Sequence, residues 1–245
     1  MRIVAGNWKM HKTRREAVSL TEEIVGKRDS WNADVEVVLF PPFTSIAAVA
    51  DVCRGTGVRV GGQNFHAEAT GAFTGEISAR MLLEAGAEAV LIGHSERRTL
   101  FAETDALLAS KLVTALRSGL RPIFCVGENL EVREAGRTEA FLRAQIEVGL
   151  GLCTSESLRS LIVAYEPIWA IGTGRTADLS QIEAAHLCIR EEIAHRFGGI
   201  ETPILYGGSV KGENAAAILG QKSVDGVLVG GASLAVDAFL SIVSS

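Results

Sequence analysis

Eight short apolar runs, separated for the most part by stretches of helical periodicity, restrict the folds open to this chain of 245 residues more than any other feature. The runs lie at residues 3–5, 35–40, 58–60, 89–92, 122–126, 161–164, 204–206 and 227–229. Between them, stretches such as "TRREAVSLTEEIV" and "DLSQIEAAHLCIREEIAHRF" repeat apolar positions at three and four residues with charges in between. Alternation of strand and helix implies a parallel sheet, and near-continuous apolar strands imply burial of both faces beneath helices. An open doubly wound sheet meets both conditions. Eight units in 245 residues fit a closed (β/α)8 barrel better, and no linker or composition shift marks a boundary, so the expected fold is one α/β barrel domain over residues 1–245.

A net charge of -5 leaves no basic face for a nucleic-acid backbone, so any anionic ligand must be held by local devices. No stretch reaches about 18 apolar residues and the N-terminus carries no signal-peptide pattern, so neither a membrane nor secretion is expected. Cys53, Cys125, Cys153 and Cys188 stand singly, without a C-x-x-C pair. That spacing speaks against a disulfide framework and a zinc site, and for buried, reduced thiols in a cytoplasmic protein.

In a (β/α)8 barrel, chemistry collects at the carboxyl ends of the strands. There this sequence has "GNWKM" with Asn7 and Lys9, "GHSERR" with His94, and "YEPIWAIGTG" with Glu166. The last two strands are followed instead by glycines, in "YGGSV" and "VGGASL". Glycines let backbone N–H groups approach an anion, and a following helix end adds its dipole. Each feature has a plain alternative: a solvated lysine, a structural histidine, a loop carboxylate, turn glycines. Their joint arrival at one predicted rim favours a site.

Taken in order, "GNWKM", "GAFTGEIS", "GHSERR", "CVGE", "YEPIWAIGTG", "YGGSV" and "VGGASL" resemble the triosephosphate isomerase family, from residue 3 to the last helix. The resemblance implies interconversion of dihydroxyacetone phosphate and D-glyceraldehyde 3-phosphate in glycolysis and gluconeogenesis, without cofactor or metal. Glu166 would be the base, its pKa raised by desolvation. His94 would polarise the carbonyl as a neutral imidazole, its pKa lowered by the helix opening at "SERR"; this assignment follows a standard worked example for this very enzyme. Lys9 would supply positive charge, Asn7 would orient Lys9 and substrate oxygen, and Ser95 and Glu96 would support them from behind.

Further along the resemblance, the phosphate would be gripped by backbone N–H groups of Gly172, Ser209, Gly230 and Gly231. A lid would follow Glu166, hinged at 167–169 and 175–177, and would keep the enediolate from losing phosphate to a dicarbonyl. Arg175 stands where lysine is common, His11 where asparagine is, and "FHAEAT" is less typical than "GAFTGEIS". A homodimer is also implied, with Thr74 reaching the neighbour's Asn7 and Lys9 and with Gln63 and Arg97 supporting the interface. Two other readings remain at this stage. Another sugar-phosphate barrel enzyme would share the glycine pocket but lack the Lys9, His94 and Glu166 set, and a non-catalytic barrel would tolerate loss of one of them.

Overall fold

The computed structural model describes residues 2–171 and 176–245. Eight parallel strands close into a barrel in sequential order: β1 (Arg2–Asn7), β2 (Val35–Phe40), β3 (Arg59–Gly62), β4 (Ala89–Ile92), β5 (Arg121–Val126), β6 (Ile162–Tyr165), β7 (Ile204–Tyr206) and β8 (Gly226–Val229). Closure is by β1 against β8, in the register Ile3 with Gly226 through Gly6 with Val229. Around it lie α1 (Arg14–Gly26), α2 (Ile46–Cys53), α3 (Ala79–Glu84), α4 (Ser95–Leu100), α5 (Asp105–Ser118), α6 (Leu130–Glu134), α7 (Thr138–Leu150), α8 (Leu179–Phe197), α9 (Gly212–Leu219) and α10 (Val236–Val243). The expected barrel is the observed one.

The period of two along each strand divides its side chains between two cores. Ile3 and Ala5, Val38 and Phe40, Ala89 and Leu91, Ile123 and Cys125, and Ile162 and Ala164 fill the barrel interior with Leu205 and Leu228. The alternate residues, among them Val4, Val37, Val90, Phe124, Val163 and Val227, face the helices. The expected strands therefore read as unbroken apolar runs because both faces are buried.

Local signals set the helix limits. Asp178 caps α8, accepting the Gln181 backbone N–H at 2.8 Å, while Gln181 Oε1 accepts the Asp178 N–H at 3.1 Å. This reciprocal capping satisfies donors that the first turn cannot. The helix stops at Gly198, whose φ of +77° suits a residue without Cβ. All four cysteines are free thiols, but Cys153 is only half-buried, a departure from the expected burial because it follows α7 in an open turn. No helix among the described residues is long and apolar enough to cross a membrane.

Candidate active site

Three strand ends carry the polar groups. At the end of β1 the buried Asn7 Oδ1 accepts the Lys9 backbone N–H at 3.0 Å. Lys9 has a φ of +51°, a left-handed conformation that a side chain makes costly, so its backbone is held by neighbours. One of them is Gln63, just past β3, whose Nε2 donates to the Lys9 carbonyl at 2.8 Å and the Phe40 carbonyl at 2.9 Å. Lys9 Nζ then reaches Glu96 Oε1 at 2.6 Å.

His94 stands just before α4, and its Nδ1 accepts the Glu96 backbone N–H at 3.3 Å. That donor makes Nδ1 the acceptor of a neutral ring and leaves the proton on Nε2. Nε2 lies 3.0 Å from Glu166 Oε1, and Glu166 Oε2 accepts the Ser95 backbone N–H at 2.8 Å. Glu166 is brought there from the end of β6, its own N–H bonded to the Val126 carbonyl at 2.7 Å. Both His94 and Glu166 are buried.

This pairing corrects two expectations. Burial pushes the Glu166 carboxyl up, but the His94 ring, the Ser95 N–H and the Lys9 charge outweigh it and hold the group below the ordinary carboxylate value. Burial likewise pushes His94 down, yet the Glu166 carboxylate prevails and raises the imidazole, where the helix opening alone suggests a fall. The two side chains answer each other before they answer solvent or helix.

One cavity, of about 930 Å3, is lined by Asn7, Lys9, His94 and Glu166 together with Ser209, Gly230 and Gly231. Ser209 follows β7, its carbonyl fixed by Asn214 Nδ2 at 3.1 Å. Gly231 opens a single helical turn, Gly231–Leu234, so the first amides of that turn have no partner within it. The Lys9 Cε comes within 3.6 Å of where a Gly230 Cβ would stand, which puts the cation against the amide pocket. Such a site suits a small anion with a polar, reactive head.

Of the other expected residues, Ser95 donates its backbone N–H to Glu166 and Glu96 pairs with Lys9, so each touches one of the reactive side chains. Gln63 holds the Lys9 loop of its own chain. Thr74 is exposed on the loop between β3 and α3. Arg97 Nε donates to Glu103 Oε1 at 2.7 Å and its guanidinium sits 4.5 Å over the Phe101 ring. Neither lines the cavity. Gly172 and the hinge residue Arg175 lie outside the described residues.

Two neighbours of the site escaped the sequence reading. Glu128, fully buried, accepts from Tyr165 Oη at 3.1 Å and from Trp169 Nε1 at 2.9 Å, and pairs with Arg133 at 3.3 Å. It ties the turn after Glu166, Ile168–Ala170, to the end of β5. Its signal was the carboxylate that closes "CVGE" just past a buried strand. Leu228 also reaches the cavity from β8, but as one more apolar strand residue it had no distinguishing signal.

The profile of the family described as Triosephosphate isomerase matches residues 2–245. A triosephosphate isomerase of Symbiobacterium thermophilum is 47% identical over 243 residues, covering 98% of this chain and 94% of that one. One from Acidithiobacillus ferrooxidans is 49% identical with the same coverage. A third, from Xanthomonas campestris, is 48% identical and covers 98% of this chain and 96% of its own. A closed eight-stranded barrel, a cation, an imidazole and a carboxylate around one amide-lined cavity, and matches of this length agree: the chain belongs to the triosephosphate isomerase family.

Proposed function

We propose that residues 1–245 act as one domain that interconverts dihydroxyacetone phosphate and D-glyceraldehyde 3-phosphate, with Glu166 as the base. The observation that carries this reading is the meeting of Lys9, His94 and Glu166 in one cavity with Ser209, Gly230 and Gly231. With the phosphate held by those amides, and by Gly172 from the lid, the carbon chain faces the three side chains.

Glu166 takes the proton from C1 of the ketose, and the electron pair left behind moves to the C2 oxygen as the enediolate forms. His94 Nε2–H and the Lys9 ammonium stabilise that oxygen charge, and Asn7 keeps Lys9 in register. The carboxylic acid returns its proton to C2, and the hydroxyl proton passes between the two oxygens by way of His94. The result is the aldose, with atoms and electrons unchanged in number.

Glu166 is bonded to His94 and Ser95, so it must turn away from both to reach carbon. Once turned it gives up the His94 and Ser95 bonds that depress it, so it becomes more basic at the moment of use. His94 is at the same time released from the carboxylate that raises it, and the Glu96 N–H on Nδ1 then favours the neutral ring.

A homodimer completes the proposal. The segments carrying Thr74 and Arg97 expose Phe73, Leu100 and Phe101, and Met10 beside the catalytic loop is 95% exposed, which supports a covered face there. A coupled assay starting from dihydroxyacetone phosphate tests the reaction, and absence of aldose formation by the purified chain overturns it. Sedimentation equilibrium tests the dimer, and a monomer at micromolar concentration that retains full activity overturns that part.

A further inference from the structure

Past the last residue of β5, the chain runs against β6 more closely than side chains allow. A Cβ on Gly127 would stand 1.7 Å from the Glu166 carbonyl oxygen and 3.2 Å from its Cα. On either side of this contact, the Val126 carbonyl accepts the Glu166 N–H at 2.7 Å and the Glu128 carbonyl accepts the Ile168 N–H at 3.0 Å. The backbone of Glu166 therefore rests on that of Gly127, with no side chain between them to absorb a shift.

With the Val126 and Glu128 carbonyls spent on the segment that follows β6, the amide of Gly127 points away from it. There it meets one side chain: Gln145 of α7, buried at 4% exposure, whose Oε1 accepts the Gly127 N–H at 2.8 Å. A buried glutamine is costly unless bonded, and α7 otherwise turns Leu142, Ile146 and Leu150 toward the core. An aliphatic residue at 145 would continue that stripe but strip the Gly127 amide of its acceptor.

We propose that Gln145 is a positioning residue for the reaction: by anchoring the Gly127 amide to α7 it fixes the surface on which the Glu166 backbone sits, and so sets where the carboxylate meets substrate carbon. The proposal rests on Glu166 being the base. A base displaced by about 1 Å costs on the order of 100-fold in rate, whereas the phosphate amides of Ser209, Gly230 and Gly231, which follow β7 and β8, keep their places.

The test compares the wild-type protein with Gln145→Met, which keeps the length and loses the acceptor, and with Gln145→Glu, which keeps an acceptor oxygen. Expected for Gln145→Met is a kcat lowered by roughly 10- to 100-fold, with KM and the inhibition constant of inorganic phosphate within about 2-fold. Affinity for 2-phosphoglycolate, whose carboxylate mimics the enediolate, should fall with kcat. Gln145→Glu should recover most of the lost kcat.

A folded Gln145→Met enzyme with normal kcat overturns the proposal, as does one in which phosphate inhibition weakens as much as turnover. Should Gln145→Met fail to fold, Gln145→Asn, which withdraws the oxygen by one methylene, is read by the same criteria. If both fail to fold, the bond carries the fold and not the base, and the assignment falls. An inactive wild-type enzyme would instead overturn the isomerase reading, so the two failures are separable.

Discussion

His186 is the buried base that most directly ties this fold to pH. It lies on α8 with no exposed surface, its Nδ1 3.1 Å from the Ser223 carbonyl and its ring edge-on to Tyr165 at 5.9 Å. Nδ1 must therefore carry the proton, while Nε2 is buried with no partner among the described residues. Protonating Nε2 would create a buried cation with an unmet donor. Burial accordingly pushes the imidazole down to about 4, against 6.5 for the free group. Because the folded value is the lower one, the unfolded chain takes up the proton first as pH falls. The stability tied to the neutral ring is whole above about pH 6.5 and drains away as pH falls toward 4. At about 1.4 kcal/mol per pH unit, the loss is roughly 2 kcal/mol by about pH 5 and roughly 3 once the folded ring titrates.

Replacing His186 with leucine, close in volume, removes this titration. The Ser223 carbonyl keeps a donor in Arg190 at 3.3 Å, so the change at neutral pH should stay within about 1 kcal/mol. Urea unfolding at one protein concentration, repeated in half-unit steps between roughly pH 7.5 and 4.5, reads both stability curves. The two should converge or cross as pH falls, with the wild type losing about 2 kcal/mol more than the variant. Parallel curves across that range would refute the reasoning, since they would mean that His186 titrates alike in folded and unfolded chains.

Glu166→Gln should bind inorganic phosphate normally and fold normally while kcat drops by about 100- to 10,000-fold; near-normal turnover would remove it as the base. Lys9→Met takes away the cation beside both the Glu166 carboxylate and the amide pocket, so KM should rise and kcat fall together, which steady-state kinetics with dihydroxyacetone phosphate will show. Asp178→Ala removes the cap of α8 and should cost about 1 kcal/mol in urea unfolding without altering KM; no loss would mean that the first turn finds other acceptors.

The strands were legible because a parallel barrel buries both faces of every one, so its residues leave a continuous apolar trace. β3 runs on through Gly61 and Gly62, past the apolar run at 58–60, as β1 runs on through Gly6 and Asn7. A Cβ on Gly61 would lie 2.2 Å from the Phe40 ring, so the large neighbour on β2 is what demands glycine there, a relation that no local propensity records. Asn7, Lys9, His94 and Glu166 were legible as a group because each stands at a strand end. What each does to the next was not. The bond between His94 and Glu166 joins segments that only barrel closure brings together, and it reverses the pKa directions that burial and the helix end alone imply. Glu128 and Gln145 read in sequence as ordinary polar positions, and the hold of Gln63 on the Lys9 loop left no trace there, because their partners are backbone groups or distant side chains.

Leu228 belongs at once to the packed barrel interior and to the lining of the cavity. The reaction vessel therefore has a solid floor, made of the same side chains that hold the barrel closed. Ketose and aldose share this cavity in both directions, so each must wait for the other to leave. Product inhibition in such a vessel is competitive by construction, and the direction of net flow is left to the concentrations outside it.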